Sequence, residues 1–311
     1  MNTHHAFHGR AGLRQAGLTL VELLVAMVVG LSVIGAGLAM YVSSGASSSA
    51  SSQITQMSED ANTALSVLRT HVAMAGYSRP IGTTSTGLTK LYAGPAIFGC
   101  QNGLSTASKS QLMSAGIELT CNPEAASANE TLIVAYEADV NNTIPTSANT
   151  GTDCLGNEIP AQQTPTGDNY YIAENRFFLN ADGALSCLGN GSATPQPMVG
   201  NIADFSVMYG VARPDPGSPT VPGTSANRYL TATEVGTMTD ANWNNVVSVR
   251  LCVIVRSEDN ALDTVAPPYD DCHGKTIKPA TWGSSSKPDK RSYRMFTSTV
   301  VLHNRVQQAM E

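Results

Sequence analysis

The sequence predicts an α+β protein: a long N-terminal α-helix, membrane-spanning in its first half, packed on an antiparallel β-sheet head with long disulfide-pinned loops. Three observations predict it. Residues 23–42 run for twenty positions without a charge. From residue 53 to residue 77, apolar side chains recur at steps of three and four, the mark of one helical face. Beyond Tyr77, short β-branched and aromatic runs alternate with loops rich in Pro, Gly, Ser and Thr.

Composition narrows the function. The 311 residues carry 18 basic and 24 acidic side chains, a formal charge of −6, which argues against a general nucleic-acid binder, since phosphate attraction needs a basic surface. The six cysteines, Cys100, Cys121, Cys154, Cys187, Cys252 and Cys272, contain no C-x-x-C pair. An even count behind an export-type N-terminus favours disulfides in an oxidising compartment. Six cysteines allow about fifteen connectivities, which spacing does not decide. The sequential pairing 100–121, 154–187 and 252–272 is favoured because each bridge closes a short loop.

The first element is a basic leader. "MNTHHAFHGRAGLRQAG" holds Arg10, Arg14 and three histidines with no acid, a basic n-region ahead of an apolar run. An ordinary signal peptide would be cut after that run, where "GAG" and "SSGASSSA" supply small residues. The run is 25 residues long when counted from Leu18 to Val42, long for an h-region and enough to cross about 30 Å of hydrocarbon. A plain anchor, its leader held in the cytoplasm by Arg10 and Arg14, is the other simple reading. Neither gives Glu22 a role, and an acidic residue at a membrane-helix centre costs about 2.5–3.5 kcal/mol, less towards the interface. A cut after Gly17 changes this. Leu18 then bears a free amine, and Glu22, four residues on, lies roughly 6 Å along the helix from a cation.

"G-LTLVE" followed by an unbroken apolar helix resembles the signal of type IV pilins and their relatives. The resemblance implies that a prepilin peptidase cuts after Gly17 and methylates the amine of Leu18. It also implies that Glu22 pairs with the N-terminus of an adjacent subunit in a filament. One departure is that "RQAG" lacks a basic residue directly before Gly17.

The second element is the rest of the helix. After the polar "SSGASSSASS", Ile54, Met57, Ala61, Leu65, Leu68, Val72 and Ala75 form one stripe. No proline precedes Pro80, and Gly76 is a stop signal. One helix over 19–75 follows, on the order of 85 Å long, with Gly35, Gly37 and the serine run as its loosening points. Ala26, Gly30, Gly35 and Gly37 would let helices approach closely.

The head is read as strands. "TLIVAYEA" is one, "NRFFLNADGALSC" a hairpin through "NADG", and "IADFSVMYGVA" another. "NNVVSVRLCVIVRSE" places Val247, Val249, Leu251, Val253 and Val255 on one face, and "RMFTSTVVLHNR" closes the chain. "RPDPGSPTVPGTSANR" and "KPATWGSSSKPDKR" are read as loops. The expected division is a leader at 1–17, a helix at 18–76 with 18–42 for membrane or filament core, and a head at 77–311.

Little enzyme chemistry is visible. There is no G-x-S-x-G, H-E-x-x-H, P-loop or dinucleotide fingerprint. Beyond the leader, His71 falls among polar helix positions and is expected to face solvent, and His303 is expected to be structural in the last strand. "YDDCHGK" gathers Asp270, Asp271, Cys272 and His273, but neighbours in one loop rarely all face one ion, and Cys272 is better used in a disulfide. Glu258, Asp259 and Asp263 read as a solvated acidic turn without calcium-loop spacing. Trp243 and Trp282 are isolated and read as packing residues.

"MAGY", "GC" at 99–100, "DCLG", "NIADFSVMYGV", "WNNVVSVRLCVIVRS" and "FTSTVVLHNR" occur in an order that resembles PilW-type minor pilins, with His303 where arginine is more usual. The resemblance implies a structural subunit, neither enzyme nor cofactor or metal binder, that helps initiate a type IV pilus. Its implied partners are the prepilin peptidase, other minor pilins and the major pilin, the inner-membrane assembly platform, and the membrane itself through residues 18–42, with no nucleic acid. The implied location is the inner membrane with a periplasmic head, then the pilus. A pseudopilin of type II secretion and a pilus-tip adhesin are the alternatives.

Overall fold

The computed structural model describes Gly17 and residues 19–84, 87–92, 94–105, 118–123, 129–164, 167–215, 218–239, 241–262, 265–279 and 289–306. Arg10, Arg14, Leu18, Asp263 and Trp282, all named above, lie outside them. The chain divides into two compact units, Met1–Ser51 and Ser52–Glu311.

Helix α1, Leu20–Met74, is one unbroken element of 55 residues, so neither Gly35, Gly37 nor the serine run interrupts it. Good helix formers flank the weak segment on both sides, and propagation across it costs less than starting a new helix. Hydroxyls of Ser32, Ser58, Thr63 and Thr70 donate to the carbonyl four residues back and stay within the helix. The stripe buries Met57, Ala61, Leu65, Leu68, Val72 and Ala75, and Ala64 beside them. Ile54, assigned above to the stripe, is 37% exposed. Each large apolar side chain so buried contributes about 1.5–3 kcal/mol. The helix ends at Gly76, whose φ of 71° an L side chain rarely adopts, and the Tyr77 N–H closes onto the Met74 carbonyl. Glu137 then clamps the exit, accepting from Ser78 Oγ at 2.7 Å, the Arg79 N–H at 2.7 Å and Arg79 Nε at 2.6 Å.

A small hairpin follows, β1 (Pro80–Thr84) and β2 (Gly87–Lys90). The first large sheet comprises β3 (Ile97–Cys100), β4 (Thr131–Glu137), β5 (Ala161–Gln163), β6 (Asn169–Leu179), β7 (Leu185–Gly189) and β8 (Gln196–Val199). It is antiparallel in the order β3-β4-β6-β7-β8, with β5 added on β6. The turn from β6 to β7 is held by Asn180, whose Oδ1 accepts the N–H of Asp182 and of Ala184, with Gly183 at φ 74°. β4 is buried along its whole length, so it reads as a continuous apolar run rather than an alternation.

The second sheet comprises β9 (Ile202–Asp215), β10 (Ser218–Leu230), β11 (Val246–Arg256) and β14 (Tyr293–Val301), in the order β10-β9-β11-β14. Between them lie α2 (Ala232–Val235), a 3-10 turn Ala241–Asn245, and the hairpin of β12 (Tyr269–Asp270) and β13 (Thr276–Ile277). α3 (His303–Val306) follows β14. Two expectations are corrected here. Most of the segment expected as a loop, "RPDPGSPTVPGTSANR", forms the end of β9 and most of β10, because proline, which has no N–H to donate, is tolerated on an edge strand. Val247 does not share a face with Val249. A register shift between Val246 and Ser248 places Val246, with Val249, Leu251, Val253 and Val255, in the common core.

The two sheets meet around Phe98, Tyr209 and Trp243, with ring centroids 5.0 and 4.8 Å apart. Trp243 is thus the packing residue it was expected to be, its Nε1–H donating to the Gly236 carbonyl. The disulfides are Cys100–Cys121, Cys154–Cys187 and Cys252–Cys272. Each closes a loop of the size for which cross-linking contributes roughly 3–4 kcal/mol.

Candidate processing and assembly site

Gly17 is exposed and non-helical, and α1 begins three residues later. Thr19 sets that beginning. Its carbonyl accepts the Leu23 N–H at 3.2 Å and its Oγ1 accepts the Glu22 N–H at 3.3 Å, the arrangement of an N-cap. Glu22 therefore occupies the third helical position, in the first turn, where a carboxylate meets the positive end of the helix dipole. The spacing T-x-x-E in "TLVE" is that of a capping box, a signal present in the sequence that the reading above did not use. Glu22 thus has local compensation before any amine is added.

Around it the surface is apolar. Fifteen large hydrophobic side chains between Leu20 and Val42 are at least half exposed, a concentration found nowhere on the head among the described residues. By length and composition this stretch of α1 is able to cross a membrane. A Cβ added at Gly30, Gly35 or Gly37 would meet nothing within 4 Å, so these positions are shallow notches on the rod.

Other candidates fall elsewhere. His71 does not face solvent. Its Nδ1 lies 2.9 Å from the Tyr136 hydroxyl and 3.3 Å from Asn175 Nδ2, and its ring packs 5.1 Å from Phe177. Because both neighbours supply hydrogens, Nδ1 is the acceptor, and burial pushes the ring pKa down to about 4. The physical reason is that β4 and β6 cover this side of the helix, which a helical wheel cannot show. His303 is not in the last strand. The Leu302 N–H bonds back to the Val247 carbonyl, the chain turns, and His303 opens α3, exposed.

In the "YDDCHGK" turn the acidic groups serve the backbone. Asp271 Oδ1 accepts the N–H of His273 and of Lys275, Asp270 Oδ1 accepts the Thr276 hydroxyl, and Cys272 is bridged. Among the described residues no three His, Cys, Asp or Glu side chains are grouped to hold a metal ion. His273 Nε2 does approach Oε2 of the buried Glu130, at 3.9 Å. Burial pushes the Glu130 carboxyl up to about 8 despite that neighbour, because His273 is 37% exposed and screened by water. Glu258 receives a hydrogen bond from Gln56 Nε2 at 3.4 Å.

Two family models match parts of the chain. Residues 12–38 match the prokaryotic N-terminal methylation motif, and residues 169–304 match the type IV pilus-assembly protein W family. A solved type IV-like pilin from Thermus thermophilus is similar at 12% identity and a TM-score of 0.37, over 80% of this chain and 97% of that one. No curated protein matches. A methylation motif on an exposed apolar helix that leads into a β-rich head defines a type IV pilin-like protein. Within that class, the part of the chain from β6 to α3 matches the type IV pilus-assembly protein W family.

Proposed function

We propose that the chain is cut between Gly17 and Leu18 by a prepilin peptidase, methylated on the new amine, and assembled with other minor pilins and the major pilin to initiate a type IV pilus. Before assembly, residues 18–42 hold it in the inner membrane, on the assembly platform, with the head in the periplasm. Three disulfides suit that oxidising compartment. Apolar packing of the rod supplies most of the cohesion in the fibre. The pair of Glu22 with an amine sets register more than strength, because burying a carboxylate is costly even when paired.

The observation that carries this reading is the coincidence of the methylation motif with Glu22 in the first turn of an exposed apolar helix. Mass spectrometry of the mature N-terminus tests it. The expected species begins with methylated Leu18; an intact leader, or a start beyond Val42, overturns the reading.

A further inference from the structure

The strand orders of the two large sheets end in four edges, of which three are blunted, and β5, which adds a further edge on β6, is only three residues long. β3 is four residues long and fully buried, and β8 is four residues long and carries Pro197. β10 carries Pro219 and Pro222 and shifts register three times against β9. β14 is different. It pairs with β11 over nine consecutive residues without a shift and holds no proline or glycine. Among the described residues no strand lies on its other side. Natural sheets rarely leave such an edge open unless something pairs with it.

The hydrogen-bond phase identifies the open groups. At one end the Ser257 N–H donates to the Ser292 carbonyl, and at the other the Leu302 N–H donates to the Val247 carbonyl, both at 2.9 Å. In the antiparallel ladder these fix the even-numbered residues of β14 as those bonded to β11. The N–H and C=O groups of Met295, Thr297, Thr299 and Val301 therefore point to the free edge. These four side chains are exposed, and three are β-branched, suited to cross-strand packing. A row of alternating donors and acceptors about 6.8 Å apart is matched by one kind of ligand, an extended peptide strand.

We propose that the β14 edge receives a strand from a neighbouring, different pilin-type subunit, a proposal that rests on the assembly reading above. A second copy of this chain is the poorer occupant. From Gln56, bonded to Glu258, to Ala73, whose carbonyl accepts from Asn304 Nδ2, the head part of α1 runs in the same direction as β14. An antiparallel β14–β14 pair would set the head parts of the two α1 helices in opposite directions, whereas the assembly reading has neighbouring subunits share one direction.

The test uses the full chain. In detergent, the amides of Met295, Thr297, Thr299 and Val301 should exchange with solvent at least about 100-fold faster than those of Phe296, Ser298 and Val300; equal protection overturns the proposal. Thr297→Pro removes an outward N–H and no bond to β11, so it should keep the melting temperature and cut surface pili at least about tenfold, while Thr297→Val leaves both unchanged. Should a deletion strain keep normal pili, the assembly reading itself fails. If deletion abolishes pili but Thr297→Pro supports them, only the edge proposal fails. Self-crosslinking of Thr297→Cys into a dimer of this chain would overturn the choice of partner.

Discussion

Oε1 of Glu130 accepts the backbone N–H of Val207 at 3.1 Å, joining the residue just ahead of β4 in one sheet to the middle of β9 in the other. β10 stops pairing with β9 at Tyr209, so this carboxyl satisfies a strand N–H that has lost its neighbour. Its other oxygen is buried and, among the described residues, has no hydrogen-bond partner, with His273 Nε2 3.9 Å away. A group that joins two sheets this way links head stability to pH.

The sign follows from the direction of the shift. Folded, Glu130 holds its proton up to about pH 8; unfolded, it releases it near 4.5, so the folded state binds more protons between these values. Stability from this group is complete below 4.5 and falls as pH rises through the window, by at most about 1.4 kcal/mol per unit. His71 acts oppositely, since its folded pKa of about 4 lies below 6.5 and its contribution is lost as pH falls between those values. The two offset each other from about 4.5 to 6.5. Above 6.5 the His71 contribution is complete, and urea denaturation should show stability falling towards pH 8 as Glu130 ionises. Glu130→Gln, which keeps the acceptor for Val207, should flatten that slope; an unchanged slope would refute the assignment.

His71→Ala should destabilise the head by about 2–4 kcal/mol, because the Tyr136 hydroxyl loses its buried acceptor and Phe177 loses a packed ring. A surface histidine would cost almost nothing, so a thermal melt separates the two cases.

Replacing Cys252 and Cys272 together with serine should cost roughly 3 kcal/mol. The β12–β13 hairpin would then be held by the Cys272-position N–H on Asp204 Oδ2, at 2.9 Å in the intact protein, and by the stack of Tyr269 on Tyr293, with centroids 4.5 Å apart. Amide exchange should rise in that hairpin first and leave β4 protected.

Glu22→Ala should insert in the membrane normally yet assemble poorly, in a strain where deletion of the chain abolishes pili. Thr19→Ala should loosen only the first turn, by about 1 kcal/mol, read as faster amide exchange at Glu22 and Leu23 and restored by Thr19→Ser. Normal pili in the Glu22 variant would remove the proposed role of that carboxylate.

Much of the fold was legible because it is local. Apolar periodicity, the absence of proline before Pro80 and the glycine at 76 are properties of neighbouring residues, and they delimit α1 almost to the residue. The Asn180–Gly183 turn and the apolar run of β4 were legible for the same reason. The motif around Gly17 and Glu22 is likewise contiguous, although the cap supplied by Thr19 was missed.

By itself, the sequence determined that the chain has an apolar rod with an acid in its first turn, an export-type N-terminus and a β-rich head. Those follow from side-chain chemistry at fixed spacing. Only tertiary structure decided that His71 turns inward, that Val247 leaves the face of Val249, that a proline-bearing segment becomes edge strand β10, and that no described strand pairs with the outer side of β14. Each depends on which elements lie side by side, and pairing between distant segments is set by the whole packed arrangement rather than by any run of residues.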